Sequence, residues 1–204
     1  MVVTPTIQTV AESGLARRGV PLNEARAQIV EVVDAVGVVR DAAHLQHCLF
    51  LAQEFRLLPE RSYWFAPDGP AALPYSHILD AHIRDLLTWG VLQRAAYPAD
   101  GYREGITAPN ERRAVPPPTT MGLLAALSDL TPDDVALFAG LGFQLSRRGC
   151  HPAQARFCAD LSAALRDVLS TYPDDNAAEK VEVICAVCRR LGLTTQPHLA
   201  VFAS

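Results

Sequence analysis

Helix and strand signals alternate most clearly within residues 41–92, DAAHLQHCLFLAQEFRLLPERSYWFAPDGPAALPYSHILDAHIRDLLTWGVL, and this stretch organises the chain. Asp41 is a candidate N-cap for a helix. Apolar residues follow it at the spacing of one helix face: Leu45, Cys48, Leu49, Ala52 and Phe55. Pro59 has no backbone N–H to donate, so we expect this helix to end before it.

A short aromatic segment and a turn signal follow this helix. Residues 62–65, Ser-Tyr-Trp-Phe, predict a strand because aromatic side chains are enriched in strands. Residues 67–70, Pro-Asp-Gly-Pro, have turn composition. Ser76 is the candidate N-cap of the next helix, and Gly90 is its expected end. The predicted inner face of this helix consists of Leu79, Ile83, Leu86 and Leu87.

The flanking sequence extends this pattern into a domain. Asn23 is the candidate N-cap of an earlier helix that ends at Gly37. Its predicted inner face consists of Ile29, Val32, Val33 and Val36. Residues 91–95 and 102–107 predict two strands joined by a tight turn at 98–101. We therefore predict a mainly α fold, with a winged helix-turn-helix-like N-terminal domain that carries a small β-hairpin, followed by a helical C-terminal domain.

Three consecutive prolines mark the predicted domain boundary. Residues 116–120, Pro-Pro-Pro-Thr-Thr, favour an extended polyproline II spacer. We predict an N-terminal arm over residues 1–20, the winged-helix-like domain over 21–115, and the helical domain over 121–204. The strongest helix start in the last region is Thr131-Pro132-Asp133-Asp134, with a capping threonine, a proline at the first position and acids in the first turn.

The overall charge is mildly acidic. The chain has 204 residues, with 18 Lys and Arg against 22 Asp and Glu. This balance disfavours a general nucleic-acid or anionic-membrane binder. No apolar run approaches the roughly 20 residues of a membrane span, and the N-terminus lacks a signal-peptide layout. We expect a cytoplasmic protein with reduced cysteines and no membrane partner.

A family resemblance rests on short motifs between residues 44 and 92. The matching residues are Leu45-Gln46-His47, Leu51-Ala52-Gln53, Tyr63-Trp64-Phe65, Asp68-Gly69-Pro70, Pro74-Tyr75-Ser76, Asp85-Leu86-Leu87 and Gly90-Val91-Leu92. This stretch resembles the bacterial YwgA-like family and is distantly similar to the Panacea, or SocA-like antitoxin, domain. Two features depart from the family pattern: His47 replaces its lysine, and residues 71–73 separate its Gly-Pro from its Tyr-Ser. The resemblance implies a winged-helix-like fold and a regulatory or adaptor role rather than catalysis.

The candidate partner-binding residues are aromatic side chains and a histidine. Trp and Tyr are enriched at protein interfaces, so we predict contacts through Tyr63, Trp64, Tyr75 and His77. The alternative is that the aromatic segment forms a wall between the two domains. The sequence contains no Gly-x-Ser-x-Gly, Walker or GxGxxG motif, so we predict no catalytic residue and no cofactor. We therefore predict a non-enzymatic regulatory or adaptor protein that contacts another protein, with a second copy of the chain as a further candidate partner.

The alternative function is a transcriptional regulator that binds double-stranded DNA. A winged helix reads the major groove with the helix before the wing, here residues 76–89. The candidate DNA-binding residues are Arg84, Arg94, Arg103, Arg112 and Arg113. Residues 1–113 contain 11 Arg against 13 acidic residues, which gives few favourable phosphate contacts. Protein contact is therefore the preferred prediction.

The weaker alternative is a metal- or redox-sensing protein. Its candidate ligands are Cys150, His151, Cys158, Cys185 and Cys188, but their spacing is loose for a zinc or iron–sulfur site. The last two cysteines also fit the apolar face of a predicted helix, so we predict no metal. His44 and His47 share a helix face without a third ligand nearby in sequence, and we predict that they are surface histidines.

Overall fold

The computed structural model describes residues 23–55, 58, 62–68, 73–98, 100–109, 124, 127–128, 130–149 and 179. These residues form a mainly helical arrangement with four helices, one three-stranded antiparallel sheet and one two-stranded hairpin. None of the helices in this part of the chain combines the length and apolar character that a bilayer crossing requires. The predicted arm at 1–20 and the predicted linker at 116–120 lie outside the described residues.

The first helix, α1, spans Glu24–Val36 as the sequence predicted. The Asn23 side chain accepts a hydrogen bond from the Arg26 backbone N–H at 3.0 Å, which satisfies one of the unpaired donors of the first turn. Gly37 ends the helix with φ at 93°, a conformation that favours glycine. A two-residue strand that the sequence did not predict, β1 (Val38–Val39), follows directly.

The second helix, α2, spans Ala42–Glu54 and lies at the centre of the core. Asp41 caps it by accepting a 2.8 Å hydrogen bond from the His44 backbone N–H. The predicted apolar stripe is present, but every residue from His44 to Glu54 is buried. Neighbouring elements cover both the stripe and the polar side of the helix. Periodicity along one helix cannot reveal this, because it depends on what packs against the opposite face.

The predicted strand at residues 62–65 is wrong, because the strand begins at Ala66. Strand β2 (Ala66–Asp68) pairs antiparallel with β3 (Leu73–Tyr75), so part of the predicted turn lies in a strand. The preceding backbone is bound by a side chain instead. The Gln53 amide donates to the Tyr63 carbonyl at 3.0 Å, and its oxygen accepts from the Tyr63 N–H at 3.1 Å. These are the backbone groups through which a strand would pair.

Two prolines face each other in this hairpin. Pro67 lies opposite Pro74, between the Ala66–Tyr75 and Asp68–Leu73 pairs. Neither proline has a backbone N–H, so this pair occupies a non-hydrogen-bonded position of the ladder. The same alternation points the Pro67 backbone toward the free edge of β2, where it offers no N–H to an added strand. The hairpin edge is therefore poorly suited to strand addition.

The third helix, α3, spans His77–Thr88 and follows its predicted cap. The Ser76 hydroxyl accepts from the Leu79 N–H at 3.4 Å. The next strand, β4 (Gln93–Tyr97), begins two residues later than predicted. The reason lies at the helix end, where the Val91 and Leu92 N–H groups both donate to the Leu86 carbonyl, at 2.9 and 3.0 Å. Those two residues close the helix and cannot start the ladder.

The last strand, β5 (Asp100–Thr107), is the central strand of a three-stranded sheet with the order β1-β5-β4, and both pairings are antiparallel. Strand β5 is two residues longer at its start than the prediction. A Cβ at Gly105 would lie 2.7 Å from Val38 Cγ1 and 2.8 Å from the Val39 carbonyl oxygen. Glycine at this position therefore allows β1 to approach β5.

The fourth described helix, α4, spans Pro132–Arg147 and packs against α2. Its predicted start is confirmed, because Thr131 and Asp134 form a reciprocal capping box. Aromatic rings join the two helices. The Phe50 and Phe143 rings are 5.7 Å apart, and the Phe55 and Phe138 rings are 5.8 Å apart. One hydrophobic cluster thus includes buried residues of α1, α2, α3 and α4.

Candidate functional site

The most exposed large apolar side chain among the described residues is Trp64, whose relative exposure is 79%. Its neighbours in sequence point inward. Tyr63 is 1% exposed, and the Phe65 ring contacts the Phe50 ring edge-on with the centroids 5.3 Å apart. Gln53 holds the Tyr63 backbone on both sides, so the segment cannot easily rotate to bury the indole. The local structure therefore presents Trp64 to solvent.

Tyr63, a predicted partner contact, is buried in the structure and forms hydrogen bonds inside the protein. Its hydroxyl donates to the Ala25 carbonyl at 2.7 Å and lies 3.0 Å from His82 Nδ1. Burial raises the pKa of this hydroxyl, with the Arg26 charge acting in the opposite direction. Tyr63 therefore links α1 to α3 inside the protein. The alternation of a short aromatic segment could not show which of its rings would find a buried hydrogen-bond partner.

The predicted contact residues Tyr75 and His77 lie at the junction of β3 and α3. Tyr75 is partly buried and His77 is exposed, and their rings meet edge to face with centroids 4.9 Å apart. Ile78, also on α3, is 62% exposed. Trp64 lies two residues before Ala66, and Ala66 pairs with Tyr75 at the end of β3. We call Trp64, Tyr75, His77 and Ile78 the Trp64 surface.

Sequence reasoning missed the two glutamines that position this surface. Gln53 fixes the segment that carries Trp64, as described above. Gln46 accepts a 2.7 Å hydrogen bond from the Ser76 N–H and thereby ties the start of α3 to α2. Both side chains are buried. The available signal was the presence of two amides in a mostly apolar helix, since a buried polar side chain must find partners.

Acidic side chains accompany the cations of this region. Arg84 Nη2 lies 2.6 Å from Asp80 Oδ2, one turn earlier on α3. Arg94 Nε lies 3.8 Å from Glu104 Oε2 across the β4–β5 pair. Arg103 is in β5 but its side chain is outside the description, and Arg112 and Arg113 lie outside the described residues. Among the candidate DNA-binding arginines whose side chains the structure describes, Arg84 and Arg94 each lie beside an acid.

The prediction that His44 and His47 are surface histidines is wrong. They are 3% and 7% exposed because α2 is covered on all sides. His44 Nδ1 accepts a 3.1 Å hydrogen bond from the Arg40 backbone N–H. Burial lowers the pKa of both imidazoles to about 4, and the neighbouring His44 charge contributes to the lowering at His47. Both rings are neutral in the folded protein at neutral pH.

The metal candidates Cys150, His151, Cys158, Cys185 and Cys188 lie outside the described residues. Within the part of the chain that the structure describes, no group of three or more His, Cys, Asp or Glu is arranged to hold a metal ion. Cys48, on α2, is fully buried, and burial raises the pKa of its thiol to about 12. A thiol with so little thiolate is a poor nucleophile at neutral pH.

Comparison of the chain with protein-family models, with curated proteins and with solved structures gave no match. The resemblance to the YwgA-like family therefore stays a prediction that rests on the short motifs quoted above.

Proposed function

We propose that this chain is a non-enzymatic regulatory or adaptor protein that binds another protein through the Trp64 surface. The observation that carries the proposal is the 79% exposure of Trp64 on a segment whose backbone is held by a buried glutamine. Exposing an indole on a fixed backbone leaves a large apolar side chain hydrated. Tryptophan is also among the side chains that most often dominate binding at protein interfaces.

The charges on α3 support protein contact over phosphate contact. Arg84 is paired with Asp80, and Asp85 is paired with Arg26 of α1 at 2.8 Å. A DNA-reading helix needs cations that are free to replace counterions on phosphates. A charge-balanced surface around exposed aromatic side chains instead suits a protein partner, because charged residues are depleted at interface cores.

We further propose that the described elements before α4 form a winged-helix-like domain. The support is topological: α1, β1, α2 and α3 precede a hairpin, and β1 pairs with the second hairpin strand to give the order β1-β5-β4. The β2–β3 hairpin lies between α2 and α3, where a helix-turn-helix has a short turn. This additional hairpin begins two residues after Trp64, which gives the domain a contact element beside its third helix.

The first test is the effect of Trp64→Ala on partner binding. Tagged full-length chain would be used to isolate the partner from the native host, and the purified pair would be measured by calorimetry. We expect a loss of roughly 30-fold in affinity, because truncating an interface hot spot costs about 2 kcal/mol or more. Arg94→Ala, at an exposed position of β4, is the matched control and is expected to bind as the wild type does. Equal affinity of Trp64→Ala and wild type would contradict the proposal.

A DNA-binding regulator is the second candidate, favoured by the same strand order and by Arg84 and Arg94, whose side chains are 72% and 61% exposed. We expect the wild-type protein to give no mobility shift with host duplex DNA at low salt, because both arginines lie beside acids. A salt-sensitive shift that Arg84→Ala or Arg94→Ala weakens would favour this second function. Trp64→Ala is the control and should leave any such shift unchanged, since Trp64 lies outside the candidate DNA-reading helix and carries no charge.

A further inference from the structure

The Tyr63 hydroxyl connects its own segment to two helices, α1 and α3, and we call this contact the Tyr63 junction. It lies 2.7 Å from the Ala25 carbonyl oxygen on α1 and 3.0 Å from His82 Nδ1 on α3. The carbonyl oxygen can only accept a hydrogen bond, so the single hydroxyl proton of Tyr63 is donated to Ala25. The Tyr63 oxygen must then accept the second bond. His82 Nδ1 must therefore carry a proton.

The opposite nitrogen of this ring is available. A neutral imidazole protonated at Nδ1 has its lone pair at Nε2. His82 Nε2 has no hydrogen-bond partner among the described residues, and it is not among their buried unpaired atoms. An unpaired ring nitrogen that is not buried is in contact with solvent, and His82 as a whole is only partly buried. We propose that Tyr63 holds His82 in the Nδ1–H form, which makes Nε2 an acceptor site on α3 for an N–H or O–H group of a bound molecule.

The groups around His82 keep the ring neutral. Burial lowers the pKa of His82, the Arg26 guanidinium lowers it further, and Asp85 opposes them. Arg26 is held in place by its ion pair with Asp85 and by the Trp89 ring, whose centroid is 4.8 Å from the guanidinium carbon. Within the described part of the chain, the titratable or charged groups that face the imidazole are Tyr63, Arg26 and Asp85. At neutral pH the site accepts a hydrogen bond; in acid, Nε2 becomes a donor while the Nδ1–H bond to Tyr63 persists.

His44 provides an internal contrast for this assignment. Its Nδ1 accepts from the Arg40 N–H, so its proton must be on Nε2. The two rings are therefore expected in opposite neutral forms within one molecule. Two-bond ¹H–¹⁵N correlation spectra of the full-length chain near neutral pH would distinguish them directly. We expect a protonated Nδ1 for His82 and a protonated Nε2 for His44; a protonated Nε2 on neutral His82 would overturn the assignment.

Tyr63→Phe is the matched variant for the junction, because it removes only the hydroxyl. In this variant we expect the His82 spectrum to lose its Nδ1–H preference while that of His44 stays unchanged. An unchanged His82 spectrum would show that Tyr63 does not hold the tautomer.

Chemical modification tests the exposure of the lone pair. Diethyl pyrocarbonate acylates an unprotonated imidazole nitrogen: the ring nitrogen bonds to the carbonyl carbon, and ethyl carbonate leaves with the ring proton. The folded protein would be treated with the reagent, and the modified residues would be identified by mass spectrometry. We expect His82 to be modified at least tenfold faster than the buried His44 and His47. A rate for His82 as slow as for these two would contradict a solvent-facing Nε2.

That the group donating to His82 Nε2 belongs to a protein partner rests on the proposed function, whereas the Nδ1–H tautomer of His82 does not. His82→Asn keeps an N–H near the position of Nδ1 and removes the Nε2 acceptor. We expect it to fold as the wild type does and to bind the partner about fivefold more weakly, because one hydrogen bond is lost. If His82→Asn binds the partner as tightly as the wild type does and the wild-type spectra are as predicted, His82 does not contact the partner, but the tautomer assignment stands. Absence of any partner would count against the proposed function alone.

Discussion

Acidification from pH 7.5 to pH 4 is expected to lower the free energy of unfolding of this protein by several kcal/mol through two buried histidines. His44 and His47 have folded-state pKa values of about 4, below the ordinary value of 6.5. The unfolded chain therefore binds more protons between these values. The stabilisation by the neutral rings is fully present above pH 6.5 and is lost as the pH falls toward 4.

The size of this effect follows from the pKa lowering. Each histidine contributes about 3 kcal/mol if it titrates independently, and the pair contributes less than the sum because the two rings interact. This loss is a large fraction of the roughly 5–15 kcal/mol that stabilises an ordinary domain. The hydrogen-bond geometry adds a specific cause at His44, whose Nδ1 must release the Arg40 N–H before it can be protonated.

Urea unfolding at a series of pH values would measure the loss. The variant for comparison is His44→Asn, whose side-chain oxygen can still accept from the Arg40 N–H but does not titrate. We expect it to have a flatter dependence of stability on pH between 6.5 and 4 than the wild type. Gln93→Leu, which changes an exposed side chain of β4 without altering any charge, is the control and should leave the slope unchanged. Identical slopes for wild type and His44→Asn would show that buried histidine protonation does not drive the acid effect.

Gln53→Leu is expected to destabilise the protein by about 3 kcal/mol. The substitution introduces an apolar side chain of similar size and removes both hydrogen bonds to the Tyr63 backbone. A buried donor or acceptor that loses its partner costs about 1–3 kcal/mol, and this variant leaves one of each. Urea unfolding at neutral pH would measure the change.

The same variant tests whether Gln53 positions the Trp64 surface. Release of the Tyr63 backbone should increase amide hydrogen exchange around residues 62–65 before the rest of the core exchanges. Gln93→Leu makes the same chemical change at an exposed position of β4 and should alter stability by less than about 0.5 kcal/mol. A Gln53→Leu protein as stable as the Gln93→Leu control would show that the hydrogen bonds of Gln53 to the Tyr63 backbone do not stabilise the fold.

Local signals predicted the helices well because their evidence lies within a few residues. Asn23, Asp41, Ser76 and Thr131 each cap the helix that was expected to follow, since a short polar side chain can reach the unpaired N–H groups of the first turn. Gly37 ends α1 for an equally local reason, its positive φ. These features need no information from distant parts of the chain.

The aromatic segment shows where local signals fail. Its composition indicated a strand, but the Tyr63 backbone binds the side chain of Gln53, ten residues away. The start of β4 was misplaced for a related reason, because the N–H groups of Val91 and Leu92 are used to close α3. A backbone N–H group that donates to one acceptor is no longer available to another, and the sequence does not say which of two acceptors it will bind.

Caps, turns and periodicity act over short distances, and they were enough to predict the helix starts, the hairpin after α3 and the aromatic side chains near residue 64. The exposure of one of those side chains and the burial of two histidines follow instead from tertiary packing. Trp64 and Tyr63 are adjacent, yet one faces solvent and the other joins α1 to α3. The physical reason is that burial depends on contacts between residues far apart in the chain, and no local pattern encodes those contacts.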